Sequence, residues 1–217
     1  VGDNALDLNT TANNNVAIGI SALGANTTGT QNTAVGGYVM QSNATASNNT
    51  AVGYTALLQN TTGAGNVAVG QSALAANTTA FNNTAVGNEA LKQNTTGTDN
   101  TAVGSLALDA NTTGSSNTGL GYRALGANTT GNANVAIGDA AMITNTTGAQ
   151  SVAVGVQALE KNTANDNTAV GYQALEENTS GTRNIAVGSG TLDANTTGND
   201  NVAIGHEALD ANTTGIR

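Results

Sequence analysis

The chain contains no cysteine, no proline and no tryptophan, and its aromatic residues make up only 2% of it. Without cysteine, no disulfide bond can stabilise the fold. With Phe81 as the only phenylalanine, aromatic side chains cannot fill a core of the usual globular kind. Disordered chains are also poor in aromatic residues, but they are typically rich in proline and charge, and this chain has only 9% charged residues. The composition therefore favours an ordered fold that is not an ordinary globule.

Basic residues are scarce as well: five Lys and Arg stand against fourteen Asp and Glu, which gives a net charge of −9. Binding to nucleic acid phosphates requires clusters of Lys and Arg, so we expect no nucleic acid partner. No apolar run approaches the roughly 18 residues of a membrane span, so we expect no membrane insertion in this segment.

What the chain does contain is one short unit, repeated from end to end. A Val/Ile/Leu-Gly step recurs with Gly at residues 2, 19, 36, 53, 70, 87, 104, 121, 138, 155, 171, 188 and 205, so eleven of the twelve intervals are identical and define a 17-residue period. The exception, between Gly155 and Gly171, is shorter by one residue, and the lost residue falls in the segment "NTANDN". We interpret residues 1–217 as a single array of thirteen units without capping units, with a one-residue deletion in the unit 151–166, and as a segment of a longer fibre.

We number the unit from the Asn that opens N-T-A-V-G, and call that residue position 1. Position 2 is always β-branched, position 3 is Ala except for Gly119, position 4 is Val, Ile or Leu, and position 5 is Gly. Position 8 is Ala in most units, position 9 is always Leu or Met, and position 12 is Asn in every unit. The remaining positions vary and are mostly small or polar.

A 17-residue unit is too short for a helical hairpin and fits one coil of a β-solenoid. Positions 2 to 4 have the composition of a short strand that Gly at position 5 ends, and N-T-T-G predicts a corner. We also expect a second short extended stretch at positions 8 and 9. The predicted fold class is therefore all-β, a parallel β-solenoid of thirteen 17-residue coils in which equivalent residues stack.

The alternation of a strand places positions 2 and 4 on one face and position 3 on the other. Because positions 2, 4 and 9 are the most apolar, we expect them to point inward and the alanines of positions 3 and 8 to point outward. A small outward residue kept in every coil indicates close packing against a second chain, although alanine that merely tolerates a tight bend would give the same pattern. The predicted chain-to-chain interface comprises Ala51, Ala68, Ala85, Ala102, Ala56, Ala73, Ala90 and Ala107.

The asparagine of position 12 has two interpretations. Stacked asparagines can form a hydrogen-bonded ladder that also holds a turn. The same residues begin Asn-x-Ser/Thr sequons in all units except that of Asn162, so they could instead carry N-linked glycans. Since the Asn is kept where the sequon fails, the ladder is our preferred interpretation. The residues concerned are Asn9, Asn26, Asn43, Asn60, Asn77, Asn94, Asn111, Asn128, Asn145, Asn178, Asn195 and Asn212.

Residues for catalysis, metal binding or cofactor binding do not form a recognisable set. His206, the only histidine, occupies the variable position 6, where we expect a surface residue. Nucleophile–base pairs and metal sites need His, Cys or carboxylate partners, and no Asp recurs from coil to coil. Paired acids such as Glu176 and Glu177 also fall at variable positions. We predict no catalytic residue, no metal, no cofactor and no enzymatic activity.

The blocks "NVAIG" (15–19, 134–138, 201–205) and "NIAVG" (184–188) resemble the head repeats of trimeric autotransporter adhesins. The form "NTAVGYQAL" (167–175) is similar to repeats of phage tail fibres and bacterial surface proteins. This resemblance implies a left-handed β-roll with three chains to a head. The repeat of this chain, at 17 residues, is longer than that of the adhesin heads, and the additional residues fall in the N-T-T-G corner.

From the repeat and the resemblance together, we expect a non-enzymatic structural protein of an extracellular fibre, stalk or adhesin head, on a cell surface or a virion. The expected partner is the chain itself, as a homotrimer, an end-to-end fibre or both. The alternatives are a surface module that binds a host receptor or glycan through variable outer positions, a glycosylated filament subunit, and an ice-binding solenoid with rows of Thr.

Overall fold

The computed structural model describes residues 2–215 of the chain, so Val1, which the repeat places at position 4 of the first unit, lies outside them. The described residues fold into two compact units, which are divided between Thr113 and Gly114. Each unit is a stack of β-solenoid coils, and the predicted all-β parallel solenoid is confirmed.

Every strand is three residues long and corresponds to positions 2 to 4 of a repeat. The first unit contains β1 (Val16–Ile18), β2 (Thr33–Val35), β3 (Thr50–Val52), β4 (Val67–Val69), β5 (Thr84–Val86) and β6 (Thr101–Val103). The second contains β7 (Thr118–Leu120), β8 (Val135–Ile137), β9 (Val152–Val154), β10 (Thr168–Val170), β11 (Ile185–Val187) and β12 (Val202–Ile204). The described residues thus show twelve strands, one fewer than the thirteen repeats, because the first repeat contributes none.

Neighbouring strands of each unit pair in parallel and in register, position on position. Thr50 pairs with Val67, Ala51 with Ala68 and Val52 with Val69, and this register holds even where the repeat is one residue short, between β9 and β10. Identical positions therefore stack directly on one another, which explains why each coil keeps its own copy of the same residues.

The second extended stretch that we expected at positions 8 and 9 is absent, and positions 6 to 11 form consecutive turns instead. In the coil that begins at Asn66, the amide of Ala73 donates to the carbonyl of Gly70, and that of Ala75 donates to Ser72. The third residues of these two turns, Ser72 and Leu74, have φ of 56° and 51°, as type II turns require. The sequence did not predict these turns because Leu and Ser rarely adopt positive φ.

Gly at position 5 is required for two reasons that act together. Gly87 has φ of 143°, which side-chain-bearing residues rarely adopt. A Cβ placed on it would also lie 2.4 Å from the carbonyl oxygen of Gly104 in the next coil. Any side chain at this position would therefore separate the coils.

The interior of each coil is built from positions 1, 3, 8, 9, 12 and 15, and our assignment of the two strand faces was wrong. Ala85 of position 3 is fully buried, whereas its neighbours Thr84 and Val86 are only partly buried. The inward placement of position 9 is confirmed, since Leu91 is fully buried. With Leu or Met filling so narrow a coil, the opposite strand has room only for a methyl group, and the larger β-branched side chains must point outward.

The predicted alanine interface is therefore wrong. All eight side chains are fully enclosed by their own chain and cannot contact a second one. They are Ala51, Ala68, Ala85, Ala102, Ala56, Ala73, Ala90 and Ala107. Positions 8 and 9 are adjacent and yet both point inward, because positive φ at position 9 removes the alternation of a strand.

Candidate functional site

The predicted ladder of position 12 exists in both units and lies inside the corner of the coil. The Nδ2 of Asn77 donates to the Oδ1 of Asn60 in the preceding coil (2.9 Å) and to the carbonyl of Ala80 at position 15 of its own coil (3.1 Å). The Oδ1 of Asn77 in turn accepts from Asn94 (3.2 Å). Asn60, Asn77 and Asn94 are fully buried. An amide suits this place because it combines two N–H donors with an acceptor, which neither Asp nor Leu provides.

Since the Nδ2 of these asparagines is buried and donates two hydrogen bonds, it cannot carry a sugar in the folded protein. The ladder interpretation of position 12 is confirmed. Asn162, whose sequon fails, accepts from Asn178 in the same way (2.8 Å). The sequons that begin at Asn48 and Asn82 are different, because these residues of position 17 are exposed.

A second ladder runs beside the first, through the asparagines of position 1, which the predicted site residues do not contain. The Nδ2 of Asn49, at position 1, donates to the carbonyl of Gly63 (2.9 Å), which also accepts from Asn60 (2.9 Å). The backbone N–H of Asn66 donates to the Oδ1 of Asn49 (2.9 Å). The recurrence of Asn at position 1 in eleven of twelve units would have identified this ladder.

Threonine at position 13 completes the corner. The Oγ1 of Thr61 donates to the carbonyl of Thr78 in the next coil (2.9 Å), which also accepts from the amide of Thr61 (2.9 Å). Thr62, at position 14, is exposed. Both side chains of this Thr-Thr pair are exposed, and the hydroxyl of the first connects two coils.

The most unusual surface is formed by the outward side chains of positions 2 and 4, which we call the outer strand face. It carries only Val, Ile, Leu and Thr in all twelve strands, with no charged residue. Several of the apolar side chains are well exposed: Ile18 by 49%, Val52 by 37% and Leu120 by 41%. A surface that only faced water would accept charged residues at some of these positions. The absence of charge, which is visible in the sequence, could have revealed this face.

The variable positions carry the charges, and some of these form solvent-exposed ion pairs. Arg183 forms a two-point ion pair with Asp200 in the next coil (2.6 and 2.8 Å), which lowers the pKa of the Asp200 carboxyl. Lys161 pairs with Glu177, and this hydrogen bond raises the pKa of the Lys161 ammonium group. Burial, followed by repulsion from Glu160 and Glu177, raises the pKa of the Glu176 carboxyl.

His206 is exposed, as predicted, and lies 3.7 Å from the carboxylate of Glu207. Within residues 2–215, no three side chains of the His, Asp and Glu type gather in a way that could hold a metal ion. The same residues contain no helix with the length and apolarity that crossing a membrane requires.

Comparisons with protein-family models, with curated proteins and with solved structures find no match to this chain.

Proposed function

We propose that this chain is a structural repeat protein without enzymatic activity, which assembles with copies of itself into an extracellular fibre, stalk or adhesin head. The β-solenoid is a fold built by repetition, and its interior is occupied by Ala, Leu and Asn columns that hold the coils together. The adhesin-type blocks "NVAIG" and "NIAVG" support the extracellular setting.

The observation that carries the proposal is the outer strand face. Contiguous apolar surface on a soluble protein is characteristic of an interface. Here one Val, Ile or Leu per coil stands at position 4, beside a β-branched residue at position 2. Because the coils of each unit present the same kinds of residue in register, two copies can pack along several coils at once. The interface between copies is therefore the outer strand face and not the buried alanines. The resemblance to the adhesin heads suggests three copies.

The first prediction tests this face. Replacing Val52 and Val86 with Lys in the same chain should shift the protein from an oligomer to a monomer, because assembly would then bury charged groups without partners. Sedimentation velocity of the wild type and the variant measures the change. The matched control replaces Thr62 and Thr96, at the exposed position 14 of the same two coils, with Lys and should assemble like the wild type.

A monomeric wild type at micromolar concentrations would contradict the proposal, and so would a Val52→Lys/Val86→Lys variant of unchanged mass. Circular dichroism and urea unfolding of each variant show whether the coils themselves remain folded.

A second candidate, a module that binds a glycan or a receptor, is favoured by one observation. Tyr54, Tyr122 and Tyr172 of position 6 are 56%, 49% and 52% exposed, and Arg123 lies over the Tyr122 ring at 5.9 Å from its centroid. Exposed aromatic rings are common anchors in binding surfaces. Glycan binding that is lost when the three tyrosines are replaced with Ala, without a change in mass, would support this function.

A further inference from the structure

The coil 151–166 is the irregular coil of the second unit, and it differs from the others in two ways. It is one residue short, and it has Ser151 where other coils have Asn at position 1. The hydrogen bonds locate the missing residue. The Nδ2 of Asn162 donates to the carbonyl of Ala164, two residues ahead (2.8 Å), whereas the corresponding bond spans three residues elsewhere. The coil therefore lacks position 14, the exposed member of the Thr-Thr pair.

The shortened corner changes which groups the amide of Asn162 bonds. Its Oδ1 accepts from the Nδ2 of Asn178, as position 12 does in other coils (2.8 Å). It also accepts from the Nδ2 of Asn167 at position 1 of the next coil (3.2 Å). In regular coils that second donor bonds the Oδ1 of the preceding position-1 asparagine, as Asn184 does with Asn167 (3.2 Å). One amide of the short coil thus serves both ladders.

Ser151 keeps part of the position-1 ladder, because it bonds the position-1 asparagines of the coils on both sides. Its amide donates to the Oδ1 of Asn134 (3.0 Å), and its Oγ accepts from the amide of Asn167 (3.2 Å). The other Nδ2 proton of Asn167 is directed at the carbonyl of Gly181 (2.7 Å). An asparagine at residue 151 would therefore bring a second oxygen to the Nδ2 proton that already bonds Asn162.

The rearrangement leaves one buried acceptor of the preceding coil without a hydrogen bond in the described part of the chain. Asn145 Oδ1 is buried and, within the described residues, has no hydrogen-bond partner, because the Nδ2 of Asn162 no longer points to it. Reversing the Asn145 amide would not help, since its Nδ2 bonds Asn128 and Gly148 (3.1 and 3.0 Å).

We infer that Ser151 compensates the missing residue of its coil: Ser is the favourable residue at position 1 when position 14 is absent, and Asn is favourable when position 14 is present. The two irregularities form one device, which lets a coil of different length stack between regular coils. A deletion in any other coil would then need the same change at position 1.

A double-mutant cycle tests this inference. The four proteins are the wild type, Ser151→Asn, a variant with Thr inserted between Thr163 and Ala164, and the combination. Ser151→Asn should lower the equilibrium constant for folding about tenfold in the short coil and raise it about tenfold in the lengthened coil, a coupling within the range of directly contacting residues. Urea unfolding measures all four. An equal effect of Ser151→Asn in both backgrounds would overturn the inference.

Moving the device to a regular coil gives an independent test that does not depend on the natural defect. In the coil 49–65, deletion of Thr62 and the substitution Asn49→Ser should each lower the folding equilibrium constant. The double change should cost at least about fivefold less than the product of the two single effects. If the two costs simply multiply, Ser at position 1 does not compensate a short coil.

Discussion

At the scale of the residue, the amide of position 12 connects three successive coils. Asn77 connects its own corner, through the carbonyl of Ala80, with the coils on both sides, through Asn60 and Asn94. The fold thus depends on a polar side chain in its interior, which at Asn77 is stable because its two donors and its acceptor all have partners.

Replacing Asn77 with Ala should therefore lower the free energy of unfolding by about 1–3 kcal/mol, because Asn94 and Ala80 each lose a buried partner. Urea unfolding followed by circular dichroism measures the loss. Thr79→Ala, at the exposed position 14 of the same coil, is the control and should change the stability by less than about 0.5 kcal/mol. Equal losses in the two variants would contradict the role of the ladder.

Glu176 predicts a pH dependence. Burial and the nearby Glu160 and Glu177 raise the pKa of its carboxyl, so the folded protein holds this proton more tightly than the unfolded chain does. The contribution of Glu176 to stability therefore falls as the pH rises from the ordinary glutamate range through the raised pKa. Glu176→Gln should be more stable than the wild type at pH 7 and equal to it at about pH 3, where Glu176 is protonated in both states.

In the control for this prediction, Asp200, the contribution to stability changes with pH in the opposite direction. The hydrogen bond from Arg183 lowers the pKa of Asp200, so the stabilisation it gives is present at neutral pH and lost on acidification through the lowered pKa. Asp200→Asn should then be less stable than the wild type at pH 7. Thermal unfolding of both variants across the pH range measures the two trends, and matching trends would refute the assignment.

At the scale of the element, the turns of positions 6 to 11 determine the shape of the coil as much as the strands do. Leu74 and Ser72 keep positive φ although neither favours it. Such residues cost roughly 1–2 kcal/mol each relative to an ordinary conformation, and the bonds between coils must offset this cost.

Two neighbouring turn positions give a matched test of this strain. Gly190, at position 7, has φ of 63°, and a Cβ there would lie 3.3 Å from the Cγ of the Glu207 side chain. Gly37, at position 6, is not among the residues with positive φ, and its Cβ would contact the Tyr54 ring at an ordinary 3.5 Å. Gly190→Ala should destabilise by about 1 kcal/mol, whereas Gly37→Ala should stabilise by about 0.4–1 kcal/mol.

Thermal unfolding distinguishes the two glycine variants, because the shifts have opposite signs. If both substitutions stabilise, the strain assigned to position 7 is absent.

The strands also show which parts of the fold the sequence predicts and which it does not. The period, the strand at positions 2 to 4 and the Asn ladder follow from the pattern of residues, because stacking in register requires each coil to repeat them. The direction of the strand faces does not follow. The side chains of a strand alternate between two faces, and the alternation alone does not say which face points inward. The apolar character of positions 2 and 4 led to the wrong choice, since a coil filled by Leu91 accommodates Ala85 but not Val86 on the opposite side.

At the scale of the whole molecule, each unit is a column in which every coil contacts only the coils next to it, so stability accumulates from neighbour to neighbour. Within a unit, the outer strand face grows in proportion to the number of coils. The self-association that we propose through this face would therefore strengthen with length, although each coil adds only a Val and a Thr or a similar pair.

The buried ladders also affect how the protein ages. An asparagine deamidates when the backbone nitrogen of the following residue attacks its side-chain carbonyl. After Asn77, that nitrogen belongs to Thr78, which is bonded to the carbonyl of Thr95 (3.2 Å), while the Asn77 amide is buried and bonded. We expect mass spectrometry after long incubation to find deamidation at the exposed Asn132 well before Asn77, and we expect unfolding in urea to reduce the difference to that set by the following residues, Ala133 and Thr78. Similar rates in the folded protein would refute this. The chemical lifetime of the protein is then set by how often its coils open.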